Sequence, residues 1–257
     1  MKRKTAKSKP KVVPWSALAI GAILWLAYIA GRSALVTRMP YADWPGYFRL
    51  EAWMTLLRGI CFLLVLGLSL LTLGPRRIGF GLDGGRLGWR VWPAGAWMLL
   101  AWAAFFWAPA AHAQLNWRPH AGEFLVAIVV AANEEIFFRG LLFEGFQQRL
   151  GFLWAALLSS AFFTAMHLGM EPASNLPALF LMAMILCHLR GLGASILSLV
   201  ILHLAMDGTR AVLMPQGDPG LGWYYLLGAM LLWELLVLDW FNPVFRPLKI
   251  RKRGRRV

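Results

Sequence analysis

The chain has 257 residues, 59% of them hydrophobic and 15% charged; soluble domains carry roughly 25% charged residues, so a water-soluble globular domain is excluded. Its net charge of +14 is concentrated in two runs, six basic residues in MKRKTAKSKPK at the start and seven in RPLKIRKRGRR at the end. Each run flanks an apolar segment, as the cytoplasmic flanks of membrane helices do. This points to contact with anionic lipids and away from nucleic acid.

In chain order, the basic tail (residues 1–12) leads into an apolar segment at 13–35. It is too long for the apolar region of a signal peptide and no small-x-small cleavage site follows, so it reads as a retained helix. Further spans are expected at 52–73, 91–112, 121–147, 152–169, 175–190, 193–213 and 222–240, each near the roughly 20 residues that a crossing requires. The span at 175–190 is short and that at 121–147 is long and polar in its middle, so seven and eight spans both fit. The expected fold class is all-α, a polytopic transmembrane helix bundle of about eight spans. Its expected parts are the N-terminal tail, N-terminal membrane helices at 13–120, a core at 121–213, and a last helix with the basic C-terminal tail at 214–257. The longest polar loop, residues 74–90, is too small to hold a core. Cys61 and Cys187 both lie in apolar stretches and imply neither a disulfide framework nor a zinc finger.

The basic residues also set an expected orientation. With both termini cytoplasmic, inside loops hold Arg76, Arg77, Arg86, Arg90, Arg149 and Arg190, and outside loops hold Arg38, Arg49 and Arg118. The expected location is the cell (inner) membrane, multi-pass.

Three polar patterns interrupt the apolar spans. EEIFFR places Glu134, Glu135 and Arg139 inside the fourth, where each charge would cost about 2.5–3.5 kcal/mol if it faced lipid. Glu135 and Arg139, four apart, share a face and are expected to form a structural ion pair. Glu134 is turned about 100° from Glu135 and needs a partner on another helix. FTAMH carries Phe163 and His167, and HLAMD carries His203 and Asp207, again four apart. At 1.5 Å per residue, Glu134, His167, His203 and Asp207 lie roughly 20, 24, 15 and 21 Å from the inner ends of their spans, in one layer. Taken singly, each histidine also suits a helix–helix hydrogen bond, Asp207 a backbone cap, and Phe163 plain packing.

A carboxylate beside imidazoles, with no serine or cysteine at the partner positions, suits an activated water. Glu134 can serve as general base, an imidazole can hold the water, and His203 with Asp207 can bind an oxyanion, although a carboxylate is a poor oxyanion donor unless it is protonated or only orients His203. There is no HExxH. Glu134, His167, His203 and Asp207 also make an acceptable ligand set for a divalent metal such as zinc, so metal-dependent and metal-free sites both stay open.

The three patterns in this order, E-E-x-x-x-R, F-x-x-x-H and H-x-x-x-N/D, with the Phe138–Gly140 tripeptide, resemble the CPBP family of intramembrane proteases, which includes the CAAX prenyl endopeptidases and Abi-like proteins. The resemblance covers about residues 121–213. It implies an intramembrane endopeptidase of glutamic or metallo type that cleaves a membrane-associated peptide. It implies that Glu134 and His167 activate water, that His203 and Asp207 stabilise the oxyanion, and that Glu135 and Arg139 pair. Asp207 stands where the pattern also admits asparagine. The rivals are a transporter or proton relay using the same buried layer, a serine protease using Ser195 or Ser198, and a non-catalytic immunity-type membrane protein. The substrate is not legible in the residues.

Overall fold

The computed structural model describes residues 12–39, 44–80, 92–93, 95–101, 120–168, 171, 173–212 and 221–241. Both basic tails, most of the span expected at 91–112, and Arg86, Arg90 and Arg118 lie outside the described residues. Among the described residues every regular element is helical, and a single isolated bridge joins Leu168 to Glu171.

Helix α1 (Trp15–Arg38) has 24 residues, about 36 Å of length, enough to cross a bilayer. Helix α2 (Trp44–Leu73) is longer still and packs along it. Gly74, at φ 77°, ends α2. A single turn, α3 (Pro75–Ile78), then tucks beneath the bundle, burying Ile78. The turn is held from outside, since the Gly79 carbonyl accepts from Leu197 N–H and the Arg77 carbonyl accepts from Arg190 Nη2 at 2.6 Å. This short helical turn was not expected from the sequence.

Helix α4 (His120–Glu134) runs without a break into a π-helical stretch, Glu135–Leu142, and on into α5 (Phe143–Leu150). Gly151, at φ 80°, reverses the chain into α6 (Phe152–Ala165). The span expected to reach residue 169 is therefore corrected: the helix stops at Ala165, and His167 stands in the turn beyond it. There its N–H bonds the Thr164 carbonyl at 3.0 Å. Gly169 and Pro172, next in the sequence, are poor continuations of a helix.

A 3-10 turn (Ala173–Asn175) leads to α7 (Leu176–Leu192). Gly193 closes α7 in the left-handed region at φ 104°, with its N–H on the Arg190 carbonyl and Ala194 N–H on the Leu189 carbonyl, a glycine C-cap. Ser195 Oγ then accepts from Ser198 N–H at 3.1 Å and caps α8 (Ile196–Val212). Helix α9 (Leu221–Phe241) follows and lies on α7.

Among the described residues, three helical stretches are long and apolar enough to cross a membrane by themselves, Trp15–Arg38, Ala52–Leu73 and Ala173–Leu192. The apolar stretches of α6, α8 and α9 are shorter. Helix α4 packs on α8, and α6 packs on both α5 and α7. The π-helical stretch is touched by α1, α2, α6, α7 and α8, and all its residues are buried. It is the middle of the molecule. The largest fully buried side chain is there, and it is the charged Arg139. Around it run Trp25, stacked on Phe137 at 5.5 Å, and the edge-on pair Phe138 and Phe163 at 5.1 Å. Helix α1 comes this close because residue 21 is glycine: a Cβ there would meet ring and methyl carbons of Phe137 and Leu141 at 2.7 and 2.8 Å.

Candidate active site

The charged groups of the π-helical stretch are bound together before any other helix is considered. Arg139 Nη1 donates to Glu135 Oε1 at 2.8 Å, with both side chains wholly buried. The i,i+4 spacing brings this pair together. The ring of Phe163, from α6, lies under the guanidinium at 4.7 Å from its centroid, a cation–π contact. Phe163 thus does more than pack: its ring also sits 4.6 Å from that of His167 and 6.1 Å from that of His203.

His203, on α8, is the hub. Its Nδ1 lies 2.8 Å from Glu135 Oε1, the same oxygen that accepts from Arg139. Its Nε2 lies 3.7 Å from Glu134 Oε2 and 3.8 Å from Asp207 Oδ2. The expectation of Glu135 as half of a self-contained helix pair is therefore enlarged, because its carboxylate also fixes an imidazole of another helix. Two neighbouring carboxylates of one helix reach the two nitrogens of one ring. On a regular α-helix, adjacent side chains diverge by about 100°. The π-helical turn that starts at Glu135 makes the helix wider where this contact is made, and such turns are common at functional sites.

His167 is held differently. Its Nδ1 bonds the Phe163 carbonyl at 2.8 Å, so Nδ1 is the donor and Nε2 is left with its lone pair. No direct hydrogen bond joins His167 to Glu134 among the described residues. Glu134 and His203 are buried, whereas the side chain of Asp207 is 35% exposed and marks the open side of the cluster.

The ligand set that the sequence left open for zinc does not converge. Among the described residues no three His, Cys, Asp or Glu side chains are placed to hold one ion. These residues do not fit a divalent metal in this arrangement. Ser195 and Ser198 hydrogen-bond each other at 2.7 Å, where Ser195 caps α8, which gives both hydroxyls a structural task.

Two features of the site were not legible in the motifs. One is the Glu135–His203 bond; its signal was the second glutamate itself, which a single arginine does not exhaust. The other is Ser159 on α6, whose Oγ donates to the Phe138 carbonyl at 2.8 Å.

Among the described residues the fold and this cluster define a class: a helical bundle, with helices long and apolar enough to cross a membrane, whose buried middle presents carboxylates and imidazoles to one another. Residues 116–209 match the family model of the Rce1-like type II CAAX prenyl endopeptidases. That stretch, which contains Glu134, Glu135, Arg139, Phe163, His167, His203 and Asp207, is similar to that family of membrane endopeptidases. No curated protein and no solved structure matches the chain.

Proposed function

We propose that this chain is an intramembrane endopeptidase that hydrolyses a peptide bond of a membrane-associated protein or peptide with a water activated by Glu134 and His167. The observation that carries the reading is the geometry around His203: one ring held by Glu135 at 2.8 Å and faced by Glu134 and Asp207 at 3.7 and 3.8 Å.

In this reading His167, fixed through Nδ1, offers Nε2 to the water as hydrogen-bond acceptor. Glu134 takes a proton from that water, and the hydroxide forms the C–O bond to the substrate carbonyl. The negative charge moves to the carbonyl oxygen. His203 acts as the imidazolium, donating Nδ1–H to the Glu135 carboxylate and turning Nε2–H toward that oxygen. Asp207 orients His203 from the open side and does not serve as the donor. Glu134 then returns the proton to the departing nitrogen as the C–N bond breaks. Arg139 and Phe163 act at one remove, holding Glu135 in place so that His203 stays put. Because the side chains present do not form a metal-ligand set, no step is assigned to a metal.

The membrane arrangement belongs to the same proposal: about eight crossings in the cell membrane, both termini cytoplasmic, and both basic tails against anionic lipid. The prenyl cysteine peptides of the family's description are one substrate class, and other membrane-anchored peptides are another. The test compares peptide termini in membranes of cells carrying the wild-type chain or Glu134→Gln. New termini in the wild type alone support the reading. Identical termini from both, with both proteins folded, overturn it in favour of a non-catalytic or transport role.

A further inference from the structure

We infer that Ser159 is a positioning residue for this site, pinning the π-helical turn on which Glu135 and Arg139 are mounted; the inference rests on the endopeptidase reading for its kinetic arm only. Ser159 lies on α6, outside all three motifs, and is wholly buried. Its hydroxyl has one strong acceptor, the Phe138 carbonyl at 2.8 Å. That same carbonyl accepts from the N–H of Phe143, five residues on, which is the π-type bond that closes the stretch. The carbonyl therefore receives two donors, one from the turn itself and one from a neighbouring helix.

The position matters because Phe138 sits between the two halves of the ion pair, three residues after Glu135 and one before Arg139. Four residues after Ser159, Phe163 lies under the Arg139 guanidinium. One face of α6 thus grips the widened turn at its backbone and at its charge. Without the hydroxyl, the Phe138 carbonyl keeps only the helix's own bond, and nothing from α6 selects the five-residue spacing over the ordinary four. A return to α-helical spacing would turn Glu134 and Glu135 relative to Arg139, and the two carboxylates could no longer both reach His203. Ser160, the next residue, is an internal control: it is equally buried, but its hydroxyl goes to Cys187 Sγ at 3.8 Å and not to the turn.

The test uses the full chain in proteoliposomes, with histidine ring nitrogens labelled for NMR and a fluorogenic prenylated CAAX peptide as the probe. The His203 Nδ1 resonance, assigned by its loss in His203→Asn, reports the bond to Glu135. Ser159→Ala is expected to move that resonance and to lower kcat by about tenfold with KM within twofold. Ser160→Ala is expected to do neither, and Ser159→Thr, which keeps the hydroxyl, to restore both. Should Ser159→Ala fail to fold, Ser159→Cys, close in size but a weak donor, is expected to show the same displacement in smaller measure. An unmoved resonance in the folded Ser159 variants overturns the inference. So does an equal disturbance by Ser159→Ala and Ser160→Ala, which would mean generic packing. If the wild-type chain leaves the probe and every native membrane peptide intact, the endopeptidase reading fails, and the resonance alone still decides the role of Ser159.

Discussion

The first two helices and the segment from His120 to Val212 solve opposite problems. In the apolar windows of α1 and α2 only 11% and 22% of residues are buried inside the molecule, against 61% for the window that contains α7. Leu26, Ile23, Leu63 and Leu71 are all exposed, which suits a surface bathed in hydrocarbon. The inner segment buries Glu134, Glu135, Arg139 and His203 instead and surrounds them with Phe138 and Phe163, to which α1 adds the single ring of Trp25. The peripheral helices therefore need only length and hydropathy. The inner ones need specific partners, because a charge in a low-dielectric interior must be paired and hydrogen-bonded.

Four substitutions break or sharpen that contrast. The largest effect is expected at the centre. Glu134→Gln keeps shape and volume but removes the base, and peptide cleavage in proteoliposomes should fall by about 10² to 10⁴, the range for losing a general base. Its melting temperature should stay near that of the wild type. Arg139→Ala should instead act on stability. It strands the Glu135 carboxylate and empties the space over Phe163, a loss of about 3–5 kcal/mol that denaturant unfolding in detergent would register. Gly21→Val tests the closest backbone approach described between α1 and the centre. The added carbons collide with Phe137 and Leu141, and a loss of about 1–3 kcal/mol is expected, with a drop in activity because the π-helical stretch lies beneath. Leu26→Ala, one turn further along α1 on the exposed side, should change stability by less than about 0.5 kcal/mol. If Leu26→Ala cost as much as Gly21→Val, the distinction between periphery and centre would fail.

Much of the helical architecture was legible because it is written in long apolar runs, which constrain each segment locally. The contact between Glu135 and Arg139 was legible because their spacing of four specifies a shared face. What could not be read is what depends on contacts between distant segments. The π-helical turn has no periodic signature of its own, since its spacing is chosen by bonds such as that from Ser159. The double engagement of Glu135 follows from that turn. The early end of α6 had a signal in Gly169 and Pro172, which apolar length outweighed. The buried turn after α2 had one in Gly74 and Gly79, which read as ordinary loop residues.

The shortness of α6 has a bearing on where the reactant water comes from. Fourteen residues rise about 21 Å, while the hydrocarbon layer is about 30 Å thick. A rod that short forces a dimple in the surrounding lipid or leaves its polar end sunk below the headgroups. His167 stands just beyond that end, in a turn where the His167 and Leu168 N–H groups bond the Thr164 and Ala165 carbonyls. On the proposed hydrolytic reading, so short a helix keeps bulk water nearer to the site than a full-length span would.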